Sequence, residues 1–275
     1  MFPVKLRATL AAGLLVLGLA ACGSNSSGSS AEAADAPLKV GVSPVPHGEI
    51  LQYVKDNLAA KEGLKLDIVE FNDYIQPNVA LSEKQLDANY FQHKPYLDGE
   101  VKSKGYKFTA VEAVHIEPLG IYSKKVKSLT EVPSGGVVAI PNDPSDEGRA
   151  LGLLAANGVI TLKAGAGLEA TDKDIASNPK NLQFKELEAA QLPRSLDDTS
   201  LSVINGNYAI QDGLKPATDA LALEKAQNNP YANLLVVRTG DENDPRIQKL
   251  ATLLHSPEVK KFIQDKYEGS VLPAF

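Results

Sequence analysis

The 275-residue chain has no tryptophan, one cysteine and four histidines. With Cys22 alone, it holds no internal disulfide, so its stability rests on an apolar core. No Gly-x-Ser-x-Gly elbow occurs, and no second cysteine is available as a nucleophile. His47, His93, His115 and His255 fall at no metal-ligand spacing such as His-x-x-x-His. Gly165-Ala166-Gly167-Leu168-Glu169-Ala170 matches a dinucleotide loop only loosely and lacks a clear preceding apolar strand, which favours a turn. These absences argue against an enzyme, and no cofactor or resident metal is expected. Nor is there an apolar run of the roughly 20 residues that span a bilayer as a helix.

What is present begins with an export pattern. Lys5 and Arg7 precede the apolar run Ala8 to Ala20, which ends in Leu19-Ala20-Ala21-Cys22-Gly23. That ending resembles the lipobox of bacterial lipoproteins, in which the cysteine is lipidated and becomes the first residue. The expectation is a signal peptide over 1–21 and a flexible tether over 22–37, since Gly23 to Ala36 is mostly Ser, Gly, Ala and Asn. Losing Lys5 and Arg7 takes the formal charge from −6 to −8. An acidic surface excludes nucleic acid as an expected partner. The protein is expected at the cell membrane, held on its extracytoplasmic face by lipid on Cys22.

From Leu38 onward strands alternate with helices. Expected strands are 38–42, 64–71, 108–114, 136–141, 182–187, 201–204 and 233–238, and expected helices lie near 50–58, 77–83, 96–104, 245–254 and 257–267. A polar helix start is expected over 188–197. The clearest helix start is Asn142-Asp143-Pro144, with Asp143 able to cap, Pro144 suited to the first position, and Asp146 and Glu147 at the positive end. The class is α/β with mostly parallel sheets, whose ligands sit beyond the strand ends.

One stretch is unusually dense. Asp87 to Leu97 holds three aromatics, a histidine and two amides. It reads either as a pocket lining or as a strand entering a helix with core aromatics. Arg149, a turn into its helix, is either a fork for a carboxylate or an exposed arginine paired with a neighbouring acid. His47 and His255 read as structural or surface residues.

These segments also carry a resemblance. Phe71-Asn72-Asp73-Tyr74, Asp87 to Leu97, Pro141-Asn142-Asp143-Pro144 with Gly148-Arg149-Ala150, Glu186 to Asp198, Val203-Ile204-Asn205 and Pro230-Tyr231-Ala232-Asn233 resemble the methionine-binding lipoproteins of the NlpA family, from about Leu38 to Phe275. The resemblance implies a two-lobe periplasmic-binding-protein fold of the type II kind, with the ligand cleft between lobes. Residues 38–119 with 232–275 would form the first lobe, and 120–231 the second. It implies delivery of L-methionine to an ABC permease with a cytoplasmic ATPase.

In the implied site, Arg149 pairs with the ligand carboxylate, and Asn142 and Asn205 hydrogen-bond the amino-acid head. Tyr74, Phe91, His93 and His115 line the thioether pocket, with Tyr90, Glu117 and Asn207 as weaker candidates. D-methionine, methionine sulfoxide and a short peptide stay open as ligands. A metal-binding surface lipoprotein using His93, His115 and Glu117, or an adhesin on the same fold, are the rival readings.

Overall fold

The computed structural model describes residues 36–275. The signal peptide, Cys22 and nearly all of the expected tether lie outside those residues. The chain opens with β1 (Leu38–Val42), α1 (Glu49–Asn57), β2 (Leu66–Glu70), α2 (Gln76–Ser82), β3 (Ala88–His93), α3 (Lys94–Lys104) and β4 (Phe108–Ile116). It continues with β5 (Gly120–Tyr122), β6 (Val137–Pro141), α4 (Pro144–Ala156), a small hairpin of β7 (Thr161–Leu162) and β8 (Ile175–Ser177), β9 (Gln183–Leu187) and β10 (Leu201–Ile204). After α5 (Gly206–Gln211), α6 (Pro216–Asp219) and β11 (Ala222–Leu223), the chain returns through β12 (Ala232–Arg238), α7 (Pro245–Leu254), α8 (Pro257–Tyr267) and β13 (Leu272–Pro273).

The strands form two main sheets, in the orders β13-β4-β12-β3-β1-β2 and β11-β5-β10-β6-β9. Each has its own apolar core. Val40, Ile50, Leu51, Leu235 and Leu250 are among the fully buried residues of the first, and Ile140, Leu151, Leu154 and Val203 among those of the second. Asp143 caps α4 by accepting the Asp146 backbone N–H at 3.0 Å, with Pro144 at the helix start, as the local sequence dictates.

Three expectations are corrected. The sheets are mixed rather than mostly parallel: β12 is antiparallel to β3 and β4, and β5 to β10 and β11. The reason is connectivity. β5 and β12 begin where the chain passes from one sheet to the other, whereas β3, β4, β6 and β10 end there. The second correction is at 188–197, where two short 3₁₀ turns, Ala189–Gln191 and Pro193–Asp197, replace a regular helix. Pro193 lacks the N–H that a continuous helix through this segment would need. The third is α3, which starts at Lys94 rather than Tyr96 because the His93 ring accepts the Tyr96 N–H and caps it.

Candidate ligand-binding cleft

Where the strand ends meet, the structure forms a small, partly open cavity between the two sheets. Phe91, Gln92 and His93 line it in succession. A regular strand would present only alternate residues to one face. Here the register of β3 against β12 shifts, Leu235 pairing with Tyr90 and Leu234 with Gln92, so Phe91 has no partner. This bulge re-aims the strand end. Behind it, Gln92 donates to Asn78 Oδ1 at 2.8 Å and Asn89 Oδ1 at 3.0 Å, a buried amide cluster that holds the bulged strand.

Across the cavity stand residues of the second sheet. Asp146, on the first turn of α4, is buried and bonded on both sides: His93 Nε2 lies 3.1 Å from Oδ1, and Asn205 Nδ2 donates to Oδ2 at 2.9 Å. Burial opposes its charge, but His93, Arg149 and Asn205 outweigh that and hold the carboxyl well below the usual carboxylate range. Its neighbour Asp143 is pushed the other way, by burial and by the charge of Asp146.

Arg149 is also buried. Its Nε and Nη2 engage Glu224, Nη2 donates to the Glu117 carbonyl at 2.9 Å, and Nη1 reaches Asp146 at 3.3 Å. The guanidinium lies 4.1 Å from the centre of the Tyr231 ring. Against burial, the Glu224 carboxylate keeps it firmly protonated.

The opposite wall carries Glu117, His47 and Asn233. His47 Nε2 sits 3.0 Å from Asn233 Oδ1 and 3.3 Å from Glu117 Oε1, and His115 Nε2 sits 2.7 Å from the same Oε1. Burial pushes the two imidazoles down to about 4 and about 3, and pushes the Glu117 carboxyl up. The donor atoms of His47, His115 and Glu117 lie within 4.8 Å of one another, the spacing of a potential metal triad. The His115–Glu117 and His47–Asn233 hydrogen bonds account for the arrangement without an ion.

Of the sequence-expected residues, Tyr74, Phe91, His93, Arg149 and Asn205 line the cavity, as do Glu117 and Asn207. Three do not. Tyr90 and His115 form a hydrogen-bonded pair one layer behind the wall. Asn142 lines a separate surface groove, which shares Tyr74 and Tyr96 with the cavity. Sequence reasoning missed Asp146, Tyr96, Gln92 and Asn233, and set His47 aside as structural or surface. Asp146 carried a signal that was read as helix capping electrostatics alone, and Tyr96 and Gln92 stood inside the dense aromatic stretch.

Two α/β units whose strand ends converge on a small polar cavity define a substrate-binding protein of the ABC-transporter kind. A periplasmic substrate-binding protein of an ABC transporter from Coxiella burnetii superposes with a TM-score of 0.83 at 43% identity, over 86% of this chain and 100% of that one. The chain belongs to the NlpA lipoprotein family, whose model matches residues 38–275. It is 43% identical over 259 residues to the methionine-binding lipoprotein MetQ of Bacillus subtilis, covering 93% of each chain. It is 42% identical over 272 residues to the D-methionine-binding lipoprotein MetQ of Salmonella typhimurium, covering 98% of each. A nutrient-binding protein from Burkholderia cenocepacia, solved bound to methionine, superposes with a TM-score of 0.84 at 51% identity over 86% of this chain and 100% of that one. The family is one of binding proteins, not enzymes.

Proposed function

We propose that this chain is the lipid-anchored, extracytoplasmic binding component of an ABC importer, that L-methionine is its ligand, and that it hands the ligand to a permease driven by a cytoplasmic ATPase. One observation carries the ligand class. Among the described residues four buried side-chain polar atoms lack a side-chain partner; His47 Nδ1 is set against the Val45 backbone, and two others, Asn205 Oδ1 and Asn207 Nδ2, belong to residues lining this one cavity. Buried polar groups are nearly always paired, so an unpaired set marks where a polar ligand docks.

The groups suit an α-amino acid. Glu117 is the acceptor for the ammonium, and Asn207 Nδ2 with the remaining N–H of Arg149 Nη1 serves the carboxylate. Glu117, Asp146 and Glu224 outnumber the single guanidinium, which favours a ligand bearing a cation. The rings of Tyr74, Phe91 and Tyr96 suit a thioether, each contact contributing roughly 0.3–1.5 kcal/mol. The names of the relatives in Bacillus subtilis and Salmonella typhimurium support methionine.

In this reading 38–119 with 232–275 and 120–231 are lobes that close on the ligand, hinged near Pro118-Leu119-Gly120 and Pro230-Tyr231-Ala232, and Cys22 bears the lipid. The test is calorimetry of the mature chain carrying Cys22→Ser, unfolded and refolded to strip ligand, against L-methionine, D-methionine and methionine sulfoxide. One tightly bound L-methionine per chain is expected. Preference for another form would reassign the ligand, and silence towards all three would defeat the proposal.

A further inference from the structure

Glu117 poses an electrostatic problem. Its carboxyl lies at a buried wall, 6% exposed, where burial favours the protonated form. A protonated Glu117 would offer no charge to an ammonium. The groups around it counter this without cancelling its charge. The Tyr90 hydroxyl bonds His115 Nδ1 and His115 Nε2 lies 2.7 Å from Glu117 Oε1, so with the phenol donating to Nδ1 the Nε2 proton is turned to Glu117. His47 Nε2 hydrogen-bonds Asn233 Oδ1 and lies 3.3 Å from the same Glu117 Oε1. On the far side Arg149, hydrogen-bonded to the Glu117 carbonyl, favours the ionised carboxyl by its charge, and the α5 backbone turns Asn207 N–H towards it.

The neutrality of the histidines matters. Burial holds both well below the usual imidazole range, so His115 stabilises the carboxylate through its hydrogen bond while His47 stands 3.3 Å from the same oxygen. Charged imidazoles in the same places would neutralise Glu117 and repel a cationic ligand. His47, His115 and Tyr90 pack edge to face, with ring centres 4.7 to 5.4 Å apart, which fixes the aim of both rings.

We propose that His47 and His115 are positioning residues that keep the Glu117 carboxylate ionised and turned to the ligand's α-ammonium group, and thereby select amino acids over the matching hydroxy acids. The inference rests on the amino-acid reading above and deepens it.

The readout is the ratio of two affinities, for L-methionine and for 2-hydroxy-4-(methylthio)butanoate, measured on the ligand-stripped Cys22→Ser chain. Glu117→Gln and His115→Phe are each expected to lower that ratio at least about 10-fold, the loss of a charge-assisted hydrogen bond network. His115→Gln, which keeps a side-chain N–H, is expected to recover most of it, and His47→Phe to lower it less, because its contact is longer. A ratio unchanged in His115→Phe, with both ligands weakened alike, would overturn the proposal and leave His115 a packing residue. So would stoichiometric zinc binding by the parent chain that His115→Phe abolishes, because Nε2 would then be a metal ligand. If the parent chain binds no L-methionine, the functional reading fails first and this inference with it, whereas an unchanged ratio sinks the inference alone.

Discussion

Glu224 Oε2 lies 2.6 Å from Arg149 Nη2 and 3.2 Å from the Leu119 backbone N–H. One carboxylate therefore joins the arginine of the cleft to the segment linking the two sheets. Arg149 meets the cleft with most of its N–H groups already committed to protein acceptors. Glu224→Ala leaves a buried guanidinium short of its main partner, and is expected to lower stability by roughly 3–5 kcal/mol and to weaken ligand binding. Urea titration with and without L-methionine checks both. A stability change under about 1 kcal/mol would show that Arg149 does not depend on this pair.

Tyr74 and Asn207 are 133 residues apart and joined across the cleft, the tyrosine hydroxyl donating to Oδ1 at 2.6 Å. Tyr74→Phe keeps the ring and removes that bond. The expected cost is roughly 0.5–1.5 kcal/mol of ligand affinity, seen mainly as faster release in stopped-flow experiments.

Gly206 opens α5 directly against Glu117. A Cβ there would stand 2.8 Å from Glu117 Cβ and 3.3 Å from Oε2. Gly206→Ala is expected to displace the carboxylate, with an overpacking cost of roughly 1–3 kcal/mol and a larger loss of L-methionine affinity than of fold stability. Thermal denaturation alongside calorimetry separates the two effects.

Acid acts on the ligand-free protein through buried histidines and buried carboxyls, with opposite sign. His47 and His115 stay neutral in the fold down to about 4 and about 3, while in the unfolded chain each takes a proton near pH 6.5. Below that pH the unfolded state binds more protons, so stability present above it is lost as pH falls towards about 4. Glu117 and Asp143, both raised by burial and the second to about 7, work in the opposite sense and offset part of that loss. The expected slope approaches about 1.4 kcal/mol per pH unit for each histidine. Urea titrations from about pH 7 to about pH 5 measure it by difference, and His47→Gln should take away one histidine's share of the slope. A profile that His47→Gln leaves unchanged would mean that its ring is not held neutral by burial.

Much of this molecule is local and therefore legible in the amino-acid order. Asp143-Pro144 specifies the start of α4, and the alternation of Leu38 to Val42 and the apolar run of β12 specify strands, because capping, φ restriction and side-chain periodicity act over a few residues. Polar residues at successive strand ends pointed to a cleft, and the resemblance to the NlpA family nominated Arg149, Asn205, Phe91 and His93 for it. The exchange of strand direction at β5 and β12 was not legible, since it depends on which sheet each strand joins. Nor was the exposure of Phe91, Gln92 and His93 in succession, which arises from a register shift against a strand more than 140 residues away. His47 shows the limit most plainly. Its partners Glu117 and Asn233 are remote in the chain, the second by 186 residues, and only packing brings them within hydrogen-bond reach. The sequence determined the elements and the kinds of side chain offered at their ends. Tertiary structure decided which of those side chains share one desolvated cavity, and burial there, acting on His47, His115 and Glu117 together, set the charges that the cavity presents.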